Sequence, residues 1–336
     1  MSLRGVNLGG WLVLEPWITP SLFADTNAKD EYSFCQLAAR TPELLKRLKR
    51  HRDSFITEQD FVWLAQNGIQ TLRLPVGYWL FGNAKPYQAT SVYVDRAFKW
   101  ADKHGLTIIL DVHGLPGSQN GEFHSGKAGS VDWHTNPAYV AASYDFLQAL
   151  AERYGHLKAL AGISIVNEPS ANIPVDFLQQ FYQTAYQKLQ KSCKNNISVI
   201  CSDGFRPAKW RNRLLVKKYP FLQLDYHHYQ LFGALDGWLP AWLQVWRARY
   251  ILPIKLQRMT SKHRVIIGEW SLALPAARWP LSARRRQTLT AAYAGAQLRA
   301  FERAGVDASY FWTYKTEAAD NWSYQRSHGI IQAIRP

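Results

Sequence analysis

The sequence lacks the features that mark membrane-spanning, redox and zinc-binding proteins. Its 336 residues contain no run of eighteen apolar residues, so no membrane insertion is expected. Three cysteines, Cys35, Cys193 and Cys201, form no CxxC pair and have no histidine at a zinc-binding spacing, so they are expected to be buried thiols. A GxGxxG phosphate-binding loop is also absent, which argues against a dinucleotide cofactor.

Acidic residues are few relative to basic ones, giving a formal net charge of +15. Basic clusters occur at residues 46–52 and 284–286. Neither cluster has a zinc-finger spacing, a homeodomain-like pattern or an aromatic RNA-binding signature. A solvated basic surface is therefore favoured over nucleic-acid binding, although the charge would also favour adhesion to anionic surfaces.

Aromatic residues are abundant, at 14% of the chain, and include 14 Trp and 17 Tyr. Many of them are expected in the core, but flat amphipathic rings also stack on the apolar faces of sugars. The chain begins Met1-Ser2-Leu3-Arg4 and enters a strand-like sequence at once, so it contains no predicted secretory leader. A cytoplasmic location fits, and so does an extracellular or periplasmic one if a leader has been removed.

Short β-branched runs alternate with longer amphipathic segments along the whole chain, which is typical of repeated βα units. The predicted strands lie near residues 5–10, 71–76, 107–113, 163–168, 198–203, 222–229, 265–270 and 309–314. The predicted helices are 58–67, 92–104, 137–154, 175–191, 209–217, 242–259 and 287–304. Eight strands favour an α/β fold of the (β/α)8 TIM-barrel type over an open doubly wound sheet, and no composition break divides residues 1–336 into more than one domain.

Two glutamates end apolar strands in the same way. Glu168 closes Ile163-Ser164-Ile165-Val166-Asn167-Glu168-Pro169, and Glu269 closes Val265-Ile266-Ile267-Gly268-Glu269-Trp270. A carboxylate at a buried strand end is costly unless it is paired or used, and the alternative reading is a structural salt bridge. On the fourth and seventh strands of a barrel the two carboxylates can face each other. A retaining glycosidase requires a separation of about 5–5.5 Å between its two carboxyl groups.

Several longer motifs resemble glycoside hydrolase family 5, most closely the fungal-type exo-β-1,3-glucanases. The motifs are Arg4-Gly5-Val6-Asn7-Leu8-Gly9-Gly10-Trp11 with its continuation to Ser21, His113-Gly114-Leu115-Pro116-Gly117-Ser118-Gln119-Asn120-Gly121, His227-His228-Tyr229-Gln230 and Phe311-Trp312-Thr313-Tyr314-Lys315-Thr316-Glu317. They follow the family's order over nearly the whole chain.

The resemblance implies a role for each matched residue. Glu168 would be the acid/base and Glu269 the nucleophile. The other implied residues bind substrate: Arg73 and Tyr229 beside the nucleophile, His113, Asn167 and His227 along the sugar subsite, Trp312 under the bound glucose, Glu15 at its hydroxyls and Phe232 at the entrance to the leaving-group subsites. Arg73 would also lower the pKa of Glu269 and keep it ionised while Glu168 stays protonated. No metal or cofactor is implied; a zinc site built from His113, His227 and His228 lacks a short-spaced ligand pair facing one way.

The sequence of the loop after the third predicted strand differs from the family pattern. Glu122-Phe123-His124-Ser125-Gly126 stands where the family has Phe-Asp-Asn-Ser-Gly, so two groups that hold the terminal glucose are replaced. We expect a monomeric retaining hydrolase that cleaves β-glucosidic bonds in a β-glucan, oligosaccharide or glucoside. The alternatives are a β-glucosidase or endoglucanase of other linkage or aglycone specificity, and a carbohydrate-binding barrel without catalysis.

Overall fold

Eight parallel strands close into a barrel in the computed structural model, which describes residues 2–193, 196–275, 282–318 and 320–334. The strands are β1 (Leu3–Asn7), β2 (Thr71–Gly77), β3 (Thr107–Gly114), β4 (Leu160–Ser164), β5 (Ser198–Ser202), β6 (Leu222–His228), β7 (Arg264–Trp270) and β8 (Ala308–Phe311). Because β1 pairs with both β2 and β8, the sheet has no free edge. The predicted (β/α)8 barrel is confirmed.

Helices follow the strands around the outside of the barrel. They are α1 (Pro20–Phe23), α2 (Glu31–Ala38), α3 (Pro42–Ser54), α4 (Glu58–Gln66), α5 (Ser91–His104), α6 (Pro137–Tyr154), α7 (Val175–Ser192), α8 (Pro207–Trp210), α9 (Ala241–Trp246), α10 (Leu252–Thr260), α11 (Ala283–Ala304) and α12 (Tyr324–Ala333). A π-helical stretch, Arg247–Ile251, joins α9 to α10. No helix among the described residues has both the length and the apolar character needed to cross a bilayer.

One predicted helix is wrong. The pattern predicted residues 209–217 as helical, but α8 ends at Trp210. Leu214 has a φ of +50°, a left-handed conformation that a right-handed helix does not accommodate. By contrast, α5 and α11 end at the predicted residues, because Gly105 and Gly305 take the left-handed conformation just beyond them.

The barrel interior changes from apolar to polar along the strands. Near the amino ends, Ile109, Ile200, Ile266 and Tyr310 pack in one cluster. Two residues further along β3, on the same side of the strand, stands the buried Asp111. The polar end of the interior is the carboxyl end of the strands, where side chains from several strands meet.

Candidate active site

Glu168 and Glu269 face each other at the carboxyl end of the barrel. Glu168 lies four residues beyond β4 and Glu269 lies within β7. One oxygen of each carboxylate and one ring nitrogen of His227 lie within 4.8 Å of one another. This spacing fits the retaining geometry of about 5–5.5 Å and not the inverting one of roughly 6.5–9.5 Å.

The backbone of Glu168 is strained. Its φ is +43°, a conformation that costs a residue with a side chain about 1–3 kcal/mol and that clusters at functional sites. Asn120 donates a hydrogen bond of 3.1 Å to the Glu168 carbonyl, and Gln119 donates one of 2.9 Å to the carbonyl of Asn167. The loop after β3 therefore fixes the chain at the point where it turns Glu168 into the barrel mouth.

Arg73 joins four strands beneath the two carboxylates. Its guanidinium donates to Glu269 Oε1 at 3.1 Å, to Asn167 Oδ1 at 2.7 Å and to Asn7 Oδ1 at 2.9 Å. Its Nη2 also lies 2.9 Å from Asp111 Oδ1. Burying a charge is costly without partners, so these contacts stabilise Arg73 and fix the orientation of Glu269 and Asn167.

His227 and Tyr229 contact the carboxylates of Glu168 and Glu269. His227 Nδ1 lies 2.6 Å from Glu168 Oε1 and 3.5 Å from Glu269 Oε2. The Tyr229 hydroxyl donates a hydrogen bond of 2.7 Å to Glu269 Oε2. These are alternate residues on one side of the chain, as the predicted His-x-Tyr spacing requires.

The charge distribution in the unliganded site differs from the expectation. Burial raises the pKa of Glu168, but the charge and hydrogen bond of His227, together with the smaller effects of His124 and His113, bring it down to about 2. Burial raises the pKa of Glu269; His227 and Arg73 oppose that rise and Glu168 adds to it, and the net shift is upward. The expectation that Glu168 holds the proton in the unliganded site is therefore not met, because His227 lies 2.6 Å from Glu168 and keeps its pKa low. The expected net lowering of the Glu269 pKa is not met either, because burial raises that pKa.

The pKa of His227 itself is shifted strongly upward. Burial lowers it, but the carboxylates of Glu269, Asp225 and Glu168 together raise it well above its ordinary value. Asp225 accepts from His227 Nε2 at 3.3 Å through Oδ2 and from the Gly268 N–H at 2.8 Å through Oδ1. A side chain at position 268 would collide with this carboxylate, with a Cβ only 2.1 Å from Oδ1, which explains the glycine before Glu269.

His113, Asn167 and Trp312 lie together on one side of the carboxylates. The His113 and Trp312 rings stack with centroids 5.4 Å apart and an interplanar angle of 4°. His113 Nδ1 pairs with Asp111 Oδ2 at 2.5 Å, and its Nε2 lies 3.4 Å from the Asn167 amide nitrogen. Burial lowers the pKa of His113, whereas the charge and hydrogen bond of Asp111 raise it, and the net shift is upward.

Glu15 offers an unused hydrogen-bond acceptor. Its Oε2 accepts from the Trp17 indole at 2.9 Å, whereas its buried Oε1 has no hydrogen-bond partner within the part of the chain that the structure describes. Burial raises the pKa of Glu15 to about 7, against an opposing effect of His113. A buried carboxyl oxygen without a partner is costly unless a ligand binds it.

Phe232 stands at the edge of the site and is 72% exposed. Its ring contacts Tyr229 and Trp322, with centroids 5.6 Å and 6.3 Å away. This exposed position is that of a rim residue and not of an aromatic packed under a helix. Trp322 was not singled out in the sequence, because it follows β8 in a segment without a site motif.

The departing loop contacts the site directly. Phe123–Ser125 form one 3-10 turn, and His124 Nε2 lies 3.5 Å from Glu168 Oε2. Its ring also packs edge-on against His113, with centroids 5.5 Å apart. Burial lowers the pKa of His124 to about 4, so this ring is neutral near pH 7.

The ten site residues predicted from the sequence lie together at one end of the barrel, with Phe232 at the rim. Asp225 and Gln119 were not among the predicted residues. Gln119 donates to the carbonyls of both His113 and Asn167, at 2.8 and 2.9 Å. Asp225 had a signal, since it lies two residues before His227 on the same side of β6.

The three donors Glu168, His227 and Glu269 are close enough to share one cation. However, Arg73 and Tyr229 already occupy the two oxygens of Glu269, and the guanidinium would repel a metal ion. His228 faces the other way, with its ring 6.1 Å from that of Tyr226. The histidine set weighed for zinc therefore does not converge, and the donor set fits proton transfer better than metal binding.

Comparison with known proteins agrees with this geometry. The family model of Cellulase (glycosyl hydrolase family 5) matches residues 39–315. The chain is 34% identical over 365 residues to probable glucan 1,3-beta-glucosidase A of Aspergillus niger, covering 96% of this chain and 85% of that protein. It is 32% identical over 380 residues to a glucan 1,3-beta-glucosidase of Pichia angusta, covering 98% and 85%.

Solved structures share the fold. A rutinosidase from Aspergillus niger has a TM-score of 0.79 at 22% identity, over 98% of both chains. A complex of XacCel5A with cellopentaose has a TM-score of 0.61 at 15% identity, over 100% of this chain and 99% of that one. On the family match and the relatives' near-complete coverage, this chain belongs to glycosyl hydrolase family 5 and is a retaining β-glycoside hydrolase.

Proposed function

We propose that this hydrolase removes glucose from β-1,3-glucan-like chains by double displacement, with Glu269 as nucleophile and Glu168 as acid/base. The observation that carries the proposal is the Glu168–His227–Glu269 cluster, whose donor atoms lie within 4.8 Å of one another. The names of the relatives at 32–34% identity support a β-1,3-linked glucan as the substrate.

In the first step, a Glu269 oxygen attacks the anomeric carbon while the bond to the leaving oxygen breaks. Glu168 protonates that oxygen, using the proton that His227 holds at 2.6 Å. Arg73 and Tyr229 orient the attacking carboxylate. In the second step, Glu168 takes a proton from water as the water attacks the glucosyl-enzyme, which releases glucose with retained configuration.

The residues around the carboxylates suit a sugar ring. Asn167 is oriented by Arg73 and can bind a hydroxyl with its amide, while the free Glu15 Oε1 can accept from another. Phe232 supplies an exposed ring for the sugar on the leaving side. Hydroxyl contacts that tighten as the ring flattens stabilise the transition state.

A second candidate is a β-glucosidase of different linkage or aglycone preference. It is favoured by the loop after β3, where His124 packs against Glu168 in the place of the family's amide. The two candidates share one mechanism and differ in the substrate that fills the pocket.

The mechanism is tested with Glu168→Ala and Glu269→Ala on an activated aryl β-glucoside. The Glu168 variant still forms the glucosyl-enzyme, so azide restores turnover and yields the β-glucosyl azide. In the Glu269 variant azide replaces the nucleophile and yields the α-azide. The control is Glu122→Ala, which changes an exposed residue of the loop after β3. Swapped anomers, or no rescue in either variant, would contradict the assignment.

The substrate is tested by product analysis on laminari-, cello- and gentio-oligosaccharides. The first candidate predicts glucose as the sole early product, with the highest kcat/KM on laminari-oligosaccharides. Faster hydrolysis of another linkage or of an aryl glucoside would favour the second candidate.

A further inference from the structure

The segment between β6 and β7 exposes an unusual row of large apolar side chains. Trp242, Trp246, Tyr250 and Ile254 lie four residues apart along α9, the π-helical stretch and α10, and all are exposed. We call these four residues the aromatic stripe. Trp242 is 63% exposed, and contiguous exposed apolar surface of this kind marks a contact surface.

The π-helical stretch keeps the stripe on one face. Four residues of an α-helix exceed one turn by about 40°, so residues four apart drift around the axis. A π-helix turns less per residue because its hydrogen bonds run from i to i+5, and the stretch Arg247–Ile251 therefore offsets that drift. The ring of Trp246 remains next to that of Tyr250, with centroids 5.6 Å apart.

The opposite face of this segment is already packed. Ala248 lies in a buried cluster with Leu274, Tyr293 and Ala296, so this inner face contacts α11. Before α9, the buried Asp236 binds the Gly233 N–H at 2.9 Å and Arg247 at 2.6 Å. The stripe is thus the outer face of a segment that is anchored on its inner side.

Basic residues predominate in the stretch of chain that carries the stripe. Residues 237–301 contain eleven Lys and Arg but a single carboxylate, Glu269, which lies in the active site. Arg249, Arg258, Arg284 and Arg285 are exposed, and none of them has an ion-pair partner among the described residues. This sector therefore combines an apolar face with uncompensated cations.

From this combination we propose that the aromatic stripe and the adjacent arginines dock the enzyme on the surface of an anionic phospholipid bilayer. Trp and Tyr favour the headgroup region, aliphatic side chains such as Ile254 and Ile251 enter the acyl boundary, and cations attract anionic lipids. A neutral β-glucan would not need the cations, and neither a glucan nor a nucleic acid would use the aliphatic side chains.

Docking would place the active site beside the membrane. The stripe continues the segment that begins at Tyr229, which binds Glu269, and passes Phe232 at the rim. The barrel mouth would then face glycans held at the membrane surface. This inference does not depend on the linkage assigned under Proposed function.

The test is cosedimentation of the full chain with vesicles of phosphatidylcholine containing phosphatidylglycerol, and with vesicles of phosphatidylcholine alone. We expect binding to the anionic vesicles only, weakened by added salt and accompanied by a blue shift of tryptophan emission. The double variant Trp242→Ala/Trp246→Ala should bind at least about tenfold more weakly. Arg249→Gln/Arg258→Gln should lose about fivefold per arginine.

The matched control is Arg50→Gln/Lys99→Gln, which removes two exposed cations from α3 and α5 and should lose less affinity than the arginine variant. Turnover of a soluble aryl glucoside shows that each variant is folded and separates a failure here from a failure of the proposed mechanism. Absence of binding to anionic vesicles at low salt, or equal binding by all variants, would overturn the proposal. The proposal would also be overturned if the protein bound insoluble β-glucan or DNA through the stripe but did not bind vesicles.

Discussion

At the scale of single residues, His227 decides where the catalytic proton rests. It lies between two buried carboxylates and pairs with Glu168 at 2.6 Å. Three carboxylates raise its pKa well above the ordinary value, whereas its charge lowers the pKa of Glu168 to about 2. The pair therefore carries one proton, which can move along a short hydrogen bond to Glu168 when a leaving oxygen needs it.

This arrangement makes a prediction for pH dependence. The alkaline limb of kcat/KM reports loss of the proton from the Glu168–His227 pair, so it should lie above the ordinary histidine pKa. In His227→Asn the proton must rest on Glu168 alone, and the alkaline limb should move to lower pH. Loss of the acid itself costs about 100-fold or more in rate. Activity of His227→Asn at its pH optimum should fall by less than that.

His228→Asn provides the control for that profile, since its ring lies on the other side of the same strand. Its alkaline limb should match that of the native protein. If the His227 variant also keeps the native limb, His227 does not hold the proton.

At the scale of elements, the loop after β3 shapes the sugar pocket. The 3-10 turn Phe123–Ser125 brings His124 to 3.5 Å from Glu168, in place of the amide that the family carries there. The neutral ring offers fewer hydrogen bonds to a terminal glucose than an Asp-Asn pair would. The loop is thus the part of the site where this chain differs most from its family's pattern.

We predict that Phe123→Asp/His124→Asn raises kcat/KM on laminari-oligosaccharides relative to aryl glucosides. Each regained hydrogen bond is worth about 0.5–1.5 kcal/mol, or roughly two- to tenfold. Lys127→Asn, on the exposed end of the same loop, should leave the ratio unchanged. An unchanged or lower ratio in a folded double variant would show that the loop does not set specificity.

At the scale of the whole molecule, a buried ion pair joins two helices of the segment between β1 and β2, and its carboxylate also contacts the chain just beyond β2. Arg52 of α3 donates to Glu31 of α2 at 2.8 Å, and Glu31 also accepts from the Trp79 indole at 3.1 Å and the Leu14 N–H at 2.9 Å. Burial raises the pKa of Glu31 to about 7, and Arg52 opposes this rise.

Arg52→Met should therefore lower the free energy of unfolding by about 3–5 kcal/mol, because it leaves Glu31 buried without its partner. The pKa of Glu31 would rise further. The loss should be largest above pH 7 and should shrink as the pH falls and Glu31 takes up a proton. Denaturant titrations on both sides of pH 7 measure it. Lys49→Met, which breaks the exposed Lys49–Asp53 pair on the same helix, should have little effect at either pH; equal losses would contradict the argument.

The barrel and its two catalytic candidates could be predicted before the fold was known, because strand periodicity and strand-end carboxylates are local patterns of the sequence. It also predicted the His-x-Tyr side of β6, since alternation along a strand follows from backbone geometry. The helix predicted at 209–217 failed because propensity does not reveal the left-handed Leu214.

Contacts between residues that are distant in the sequence could not be predicted in this way. Asp225 beneath His227, Gln119 bridging two loops and His124 against Glu168 each depend on how separate βα units meet at the mouth. The direction of the pKa shifts of Glu168 and Glu269 was likewise beyond the sequence, because it depends on the burial of both carboxyl groups and on the position of a third charge, His227. Interaction energies between buried charges vary steeply with distance, and those distances are set by the closed barrel.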